Sequence, residues 1–272
     1  MKNKKKNICI ISAFYNEEQN LRKFINNFDI VRSKLIKKGY LVKLILVNDG
    51  SHDGSKKIVQ EVMKFKKYIK LINFKKNYGQ QLAIFSALEG EKADFYGALD
   101  SDCQQDPNYF IKMINKMSLG KFELIQMRKK YGNYESKIKK FFSKNFYYFF
   151  SSFAKVDIDP GSSDFYLFTR DVRNKIISSH LSRLFLRGFI HFNELNKCYF
   201  DYTPLKRTNG KSKYTTFKQI DFALTAIYLF ARNFFNGFLI FALSTNILFL
   251  SLVNLKFFAQ SLSELSIFEY SV

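Results

Sequence analysis

Two aspartates separated by one residue, Asp100 and Asp102, follow a short apolar stretch at residues 95–99. In an extended segment, residues two apart point to the same side, so both carboxylates can reach one ion. Mg²⁺ in proteins is typically held by one or two carboxylates and completes its coordination with waters and substrate phosphates. Acidic pairs are also common in loops, but a pair placed directly after a buried stretch predicts a divalent-metal site.

Two polar segments, residues 15–17 and 48–51, also follow apolar stretches earlier in the chain. The second segment contains Asp49 followed by Gly50, a combination that on its own favours a simple turn. If the segment borders a crevice, the Asp49 carboxylate can instead accept hydrogen bonds from the base or ribose of a nucleotide. From the residues alone, the turn is the favoured interpretation of Asp49.

The first half of the chain contains the elements that must position these segments. Short apolar runs alternate with amphipathic stretches, and the runs predict strands at residues 8–14, 41–47, 69–74, 95–99 and 124–127. Apolar residues at helical spacing predict a helix over residues 17–37. This alternation predicts an α/β fold with a mostly parallel sheet flanked by helices. Ligand sites in such folds lie beyond the carboxyl ends of the strands, so the polar segments are expected to meet there.

The charge of the chain favours an anionic partner. Its 272 residues carry 44 lysines and arginines against 23 acidic residues, a formal net charge of +21. Nucleic acid, an anionic membrane surface and phosphorylated substrates all fit that charge, and so does a general compositional bias. No nucleic-acid recognition element is present, so we expect no nucleic-acid partner. The three cysteines and three histidines show no metal-ligand spacing.

A long uncharged stretch near the end of the chain, residues 233–255, has the length of a bilayer-spanning helix. A buried or interfacial helix is the alternative, because the stretch contains four asparagines. Residues 134–156 combine lysines with many aromatic residues, which fits either a helix with a core face or one lying in a membrane interface. Five basic residues precede the uncharged stretch within residues 206–218 and only Lys256 follows it closely, which predicts a cytoplasmic location for the preceding part.

Four segments of the first half, taken together, resemble the donor domain of family 2 glycosyltransferases. They are residues 13–18 (AFYNEE), 47–55 (VNDGSHDGS), 76–81 (KNYGQQ) and 99–102 (LDSD). Residues 159–167 (DPGSSDFYL), 185–188 (FLRG) and 207–214 (RTNGKSKY) look like later motifs of one branch, the dolichol-phosphate mannose synthases and bacterial polyprenyl-phosphate glycosyltransferases. The resemblance covers about residues 7–255. It implies a GT-A fold and an inverting transfer from a UDP- or GDP-linked sugar.

The resemblance also implies roles for residues on the donor side. Tyr15, Glu17 and Asp49 would hold the nucleotide base and ribose. Asp100 would contact the nucleotide and the metal shell. The family's Mg²⁺ or Mn²⁺ ligands at the donor diphosphate correspond to Asp102 and Gln104, and the Asp102 ion would assist departure of the diphosphate. Arg128, after the fifth strand, would face a phosphate.

On the acceptor side, Asp164 matches the carboxylate that the family places near the acceptor and that has been proposed as a base. Arg207, Ser212 and Lys213 fall in a loop that the family associates with the acceptor phosphate and the donor. The sequence departs from the branch at Ser163, where glycine is usual, and at Tyr166, where arginine is usual. The loss of that arginine removes one cationic contact to a phosphate.

The resulting domain prediction has four parts. Residues 1–214 form the catalytic domain, 215–232 an amphipathic juxtamembrane helix, 233–255 a transmembrane helix and 256–272 a short tail. We expect the protein at the cytoplasmic membrane, with the catalytic domain in the cytoplasm, acting on a polyprenyl phosphate in contact with membrane lipid. A homo-oligomer is compatible with this arrangement. Two alternatives stay open. They are transfer to a sugar hydroxyl in polysaccharide or lipid-linked oligosaccharide synthesis, and an inactive truncated membrane subunit.

Overall fold

A computed structural model describes residues 5–130, 161–179, 186–205 and 242–255, the last range without residues 248, 249 and 252. The chain divides into two compact units, Met1–Asp221 and Phe222–Val272. Several predictions lie outside the described residues: the helix at 134–156, the predicted domain boundary at residue 214, the juxtamembrane helix and the tail after residue 255.

A seven-stranded sheet forms the centre of the first unit, in the order β3-β2-β1-β4-β6-β5-β7. Strands β1, β2, β3 and β4 are parallel to one another, and β7 is parallel to β5. Strand β6 lies between β4 and β5 and is antiparallel to both. The strands are β1 (Asn7–Phe14), β2 (Leu41–Asn48), β3 (Ile69–Asn73), β4 (Phe95–Ala98), β5 (Leu124–Lys129), β6 (Ser162–Thr169) and β7 (Lys197–Tyr202).

Helices cover both faces of the sheet, as the alternating sequence pattern predicts. Along β1, Ile8 and Ile10 belong to one apolar core while Cys9 and Ile11 belong to the other, because successive side chains point to opposite faces. The first core contains residues of α1 and α4, and the second contains residues of α3, α5 and α6. The helices are α1 (Glu18–Lys37), α2 (Ser55–Phe65), α3 (Gln80–Gly90), α4 (Tyr109–Met117), α5 (Arg170–Ser178) and α6 (Leu186–Phe192).

The first helix shows how the sequence specifies this packing. Residues Leu21, Phe24, Phe28, Val31 and Leu35 recur three or four positions apart and are all buried, whereas the intervening polar residues are largely exposed. Such an apolar stripe is removed from water only when the helix packs on another apolar surface, here the sheet. The five predicted strands and this helix are confirmed, with ends that differ by at most two residues.

Strand β6 was not predicted as a strand, although its segment was singled out for its resemblance. It is buried on both faces between β4 and β5, so it has no alternation of apolar and polar residues to mark it. Its antiparallel direction has a consequence for the site. The first residues of β6 lie at the edge of the sheet where β1, β2 and β4 end.

In the second unit, the described residues between 242 and 255 are helical. Four large apolar side chains on this helix, Leu243, Ile247, Leu250 and Leu255, are between 57% and 68% exposed. Within the described part of the chain, no helix combines the length and apolar character needed to cross a bilayer. The predicted span begins at residue 233, and residues 233–241 lie outside the described ranges.

Candidate active site

The segment after β4 folds into a turn that holds Asp100 tightly. Its Oδ1 accepts a hydrogen bond from Gln80 Nε2 at 2.7 Å, and its Oδ2 accepts one from Gln105 Nε2 at 2.6 Å. The Asp100 N–H donates to Gln105 Oε1 at 2.8 Å, so Gln105 contacts both backbone and side chain. The turn requires φ of 61° at Cys103, a left-handed conformation that is uncommon for a residue other than glycine. Backbone strain therefore accompanies the fixed orientation of Asp100.

Asp102 projects from the same turn and is partly exposed. Its Oδ1 accepts a hydrogen bond from the Gln104 N–H at 3.1 Å, which orients the carboxylate. The Gln104 carbonyl accepts from the Leu205 N–H at 2.9 Å, which ties the turn to the residues after β7. The structure thus keeps Asp100, Asp102 and Gln104 in one turn, as the sequence predicts.

Asp49 follows β2 and is only 4% exposed. Its Oδ1 accepts from the Tyr78 N–H at 2.7 Å and its Oδ2 accepts from the Gly79 N–H at 2.9 Å. These two short hydrogen bonds fix the orientation of the Asp49 carboxylate. The two N–H groups belong to the residues just before α3, so Asp49 fixes the place where that helix begins.

The segment containing Tyr15 and Glu17 interlocks with the loop after β2. The Asn16 N–H donates to Ser51 Oγ at 2.9 Å, and the Glu17 N–H donates to Ser55 Oγ at 2.8 Å. Glu17 is 9% exposed, and its Oε2 accepts from Asn20 Nδ2 at 2.6 Å. The Tyr15 ring meets the His52 ring edge-on, with centroids 6.3 Å apart. The two predicted polar segments therefore do come together, at the carboxyl ends of β1 and β2.

Asp164 reaches the same edge of the sheet from β6. Tyr166 pairs with Ala98 at the end of β4, so Asp164, two residues earlier in an antiparallel strand, lies beside the residues that follow β4. Its Oδ2 accepts a hydrogen bond from Gln81 Nε2 at 3.2 Å.

The residues at the start of α3 therefore contact three site carboxylates. Backbone N–H groups of residues 78 and 79 bind Asp49, the Gln80 side chain binds Asp100, and the Gln81 side chain binds Asp164. The amino end of a helix also carries partial positive charge, which favours nearby carboxylates.

Arg128 lies at the end of β5, where its guanidinium pairs with a carboxylate of β7. The distance from Arg128 Nε to Asp201 Oδ1 is 3.0 Å, and the guanidinium carbon lies 5.1 Å from the centroid of the Tyr199 ring. A guanidinium has five N–H donors, so this pairing is compatible with a phosphate contact as well. Arg207, Ser212 and Lys213 lie outside the described residues.

Tyr202 is a further buried polar residue beside the site. Burial raises the pKa of its hydroxyl to about 12. The charges of Asp100 and Asp102 raise it further, while hydrogen bonding with the Ser163 and Gln105 side chains acts in the opposite direction. The hydroxyl therefore stays protonated at neutral pH and can donate a hydrogen bond to an acceptor oxygen.

Three glutamines of the site were not predicted from the sequence to be site residues: Gln80, Gln81 and Gln105. Two of them lie in the KNYGQQ segment that contributes to the family resemblance. The resemblance indicates that this segment lies near the site, but it does not indicate which side chains the two glutamines contact. Glutamine is uncharged and common on surfaces, and its role here depends on contacts with residues 5 to 105 positions away.

Comparison with other proteins identifies the family of the chain. A match to the glycosyl transferase family 2 domain covers residues 9–177. The chain is 25% identical over 224 residues to an uncharacterized glycosyltransferase of Synechocystis, covering 82% of this chain and 69% of that protein. It is 23% identical over 224 residues to the prophage bactoprenol glucosyl transferase homolog of Escherichia coli, covering 82% of this chain and 72% of that protein.

Two solved structures share the fold. Glucosyl-3-phosphoglycerate synthase from Mycobacterium tuberculosis, in complex with Mn²⁺, UDP and phosphoglyceric acid, superposes with a TM-score of 0.57 at 13% identity, covering 82% of this chain and 78% of that one. The mannosyltransferase PcManGT from Pyrobaculum calidifontis, in complex with GDP-Man and Mn²⁺, gives a TM-score of 0.53 at 12% identity, covering 83% and 64%. The likeness supports the predicted GT-A-like α/β fold. With the domain match across most of the described sheet, it follows that the chain belongs to glycosyl transferase family 2 and is a glycosyltransferase.

Proposed function

We propose that this glycosyltransferase moves a sugar from a UDP- or GDP-linked donor to a polyprenyl phosphate, at the cytoplasmic face of a membrane. The observation that carries the proposal is the meeting of Asp100, Asp102 and Asp164 at the carboxyl edge of the sheet, in a chain that aligns over 82% of its length with proteins named bactoprenol glucosyl transferases. Asp100 and Asp102 lie on the donor side, and Asp164 lies on the acceptor side.

The residues present suit a divalent cation. Among the described residues, no three histidine, cysteine or acidic side chains gather into a closed metal cage. Mg²⁺ and Mn²⁺ at diphosphates need no such cage, because one or two carboxylates suffice when substrate oxygens complete the coordination. Asp102, with Asp100 and Gln104 beside it, would hold the cation, which would neutralise charge on the departing nucleoside diphosphate.

In the proposed reaction, an oxygen of the acceptor phosphate attacks the anomeric carbon from the face opposite the diphosphate. The new carbon–oxygen bond forms as the bond to the nucleoside diphosphate breaks, which inverts the anomeric centre. A phosphate monoester has its second pKa near about 6, so this acceptor is largely dianionic at neutral pH and needs no base. Asp164 would then orient the acceptor side of the site; with a hydroxyl acceptor, it would serve as general base.

Membrane association is supported by the apolar helix of the second unit and by the chain's basic character. The exposed side chains of Leu243, Ile247, Leu250 and Leu255 are suited to contact with lipid. Basic residues near a membrane surface each contribute about 1 kcal/mol of attraction to anionic lipid. The excess of basic residues before residue 233 is the reason to place the catalytic unit on the cytoplasmic side.

The test is a transfer assay with the full chain in detergent. The protein is incubated with undecaprenyl phosphate, Mg²⁺ or Mn²⁺ and a panel of UDP- and GDP-sugars, and the lipid fraction is analysed by mass spectrometry. We expect a glycosylated lipid whose formation requires the cation and falls by about 100-fold or more in Asp102→Asn. Asp171→Asn, an exposed aspartate at the start of α5, is the matched control and should keep full activity.

Two results would overturn the proposal. One is the absence of a glycosylated lipid with every donor although the protein is folded and binds nucleotide. The other is full activity in Asp102→Asn. Transfer to a saccharide hydroxyl instead of the lipid phosphate would keep the family assignment and replace the acceptor.

A further inference from the structure

Gln81 connects the Asp164 carboxylate, on the proposed acceptor side, to helix α6, which has no role in the proposed reaction. Its Nε2 donates to Asp164 Oδ2 at 3.2 Å, and its Oε1 accepts from the Leu186 N–H at 3.2 Å. Leu186 is the first residue of α6 and is 1% exposed. One amide therefore joins the start of α3, strand β6 and the start of α6.

The partners fix the direction of this amide. A backbone N–H can only donate, so the oxygen of the amide must face Leu186. The nitrogen then faces Asp164, where the carboxylate oxygen Oδ2 accepts its hydrogen bond. A glutamate at position 81 would satisfy Leu186 but would place a second carboxylate against Asp164. A leucine of similar volume would satisfy neither partner.

The neighbouring glutamine, Gln80, makes a similar contact with a carboxylate on the proposed donor side. Gln80 donates to Asp100, whereas Gln81 donates to Asp164. Consecutive residues of a helix point about 100° apart, so two adjacent side chains can each serve a different carboxylate. This separation allows the acceptor side to be perturbed through Gln81 while the Gln80 contact with Asp100 is kept.

We propose that Gln81 is a positioning residue for the acceptor side of the reaction, holding the Asp164 carboxylate in place by tying it to the first residue of α6. This proposal rests on the proposed function for its effect on turnover. The bridge itself does not, since it is defined by the contacts among Gln81, Asp164 and Leu186.

The first test is a double-mutant cycle in the transfer assay with undecaprenyl phosphate. A hydrogen bond to a charged group is worth about 1.5–3 kcal/mol, so Gln81→Leu should lower kcat by about 10- to 100-fold. The KM for the donor sugar should change by less than about twofold, because the donor contacts are kept. In an Asp164→Asn background, Gln81→Leu should cost less than about threefold, because the partner through which it acts is gone.

Variants of the same position separate positioning from folding. Gln81→Glu keeps the shape of the side chain, and we expect it to lower kcat at least as much as Gln81→Leu because the two carboxylates repel each other. Gln60→Glu makes the same chemical change on the exposed face of α2 and should leave kcat unchanged. Multiplicative effects of Gln81→Leu and Asp164→Asn, or a normal kcat in Gln81→Glu, would overturn the proposal.

The second test does not depend on turnover. Hydrogen–deuterium exchange of the Leu186 amide, followed in a peptide that spans α6, should be faster by about tenfold in Gln81→Leu than in wild type or Gln60→Leu. Unchanged exchange in a folded Gln81→Leu protein would refute the bridge. Faster exchange in a protein whose wild type transfers no sugar would support the bridge and refute the proposed function alone.

Discussion

Gly50 lies where the end of β2 meets residues 76–79, and its replacement by alanine tests how closely these segments must pack. The glycine adopts φ of 71°, and a Cβ built on it would lie 2.4 Å from the carbonyl carbon of Lys76 and 2.7 Å from the nitrogen of Asn77. Both atoms belong to the backbone, so no side-chain rotation can relieve the contact. The 76–79 loop must move away from β2, and with it the N–H groups that bind Asp49.

The cost can be separated into a backbone part and a packing part. Gly120 has the same φ of 71°, but a Cβ on it would have nothing within 4 Å. The left-handed conformation costs an alanine about 1–2 kcal/mol, partly offset by about 0.4–1 kcal/mol from the more restricted unfolded chain. Overpacking adds about 1–3 kcal/mol, and weakened bonds to the Asp49 carboxylate add about 1–2 kcal/mol more. We therefore expect Gly50→Ala to destabilise the protein by about 3 kcal/mol more than Gly120→Ala.

Thermal and urea unfolding of the two variants measure this difference. For a unit of this size, about 3 kcal/mol corresponds to a Tm about 6–12 °C lower. Nucleotide affinity should fall in Gly50→Ala and stay at the wild-type value in Gly120→Ala, since only the first mutation displaces the loop at Asp49. Equal changes in Tm for the two variants would mean that the 76–79 loop moves at little cost, and would contradict a close packing of Gly50 against the backbone of Lys76 and Asn77.

Three further predictions concern stability and the turn at Asp102. Arg173 donates to the carbonyls of Leu88, Glu89 and Glu91 at the end of α3, so Arg173→Met should cost about 2–4 kcal/mol in urea unfolding. Burial raises the pKa of Cys9 to about 12, so above about pH 8.5 only the thiol of the unfolded chain ionises. The free energy of unfolding should therefore fall by up to about 1.4 kcal/mol per pH unit above that pH, and Cys9→Ala should lessen this fall. Cys103→Val should lower transfer by about tenfold or more, because a β-branched residue tolerates a positive φ poorly.

Each of these has an outcome that would contradict it. Arg170→Met removes a half-exposed pair with Asp94 and one hydrogen bond to the Ala93 carbonyl, so it should cost less than Arg173→Met, about 1–2 kcal/mol. An equal loss in both arginine variants would argue against the helix-end contacts. An identical alkaline stability profile in Cys9→Ala would show that the thiol stays protonated in the unfolded chain or ionises in the folded one. Full transfer in Cys103→Val would show that the turn does not depend on its left-handed residue.

The sequence predicts the parallel half of the sheet well because hydrophobic burial leaves a direct pattern there. The runs that become β1 and β2 are nearly continuous, as expected for strands covered on both faces, and α1 has an apolar stripe. Strand β6 is different. Its segment could be recognised by family resemblance, but its place between β4 and β5 and its antiparallel direction depend on pairing with residues about 40 and 70 positions away.

The site residues also differ in how far they could be predicted from the sequence near them. Asp100 and Asp102 could be predicted because they come soon after a strand, where an α/β sheet places its ligands, whereas Asp49 needed the family resemblance as well. Gln81 could not, because its function depends on Asp164 and Leu186, which are 83 and 105 positions distant. A polar residue held by long-range partners has no local pattern, so such contacts become visible only in the folded protein.

The start of α3 contacts carboxylates on both proposed sides of the site. Two mutations near it, Gly50→Ala and Gln81→Leu, should therefore differ in their effects on donor binding. Residues 78 and 79 bind Asp49, while the next two side chains bind Asp100 and Asp164. Displacing the loop through Gly50→Ala should therefore impair donor binding and sugar transfer together. Gln81→Leu removes one bridge only, so donor binding should persist while transfer falls. If both variants impaired donor binding equally, the start of α3 would act as one rigid block, and the separate role given to Gln81 would have to be abandoned.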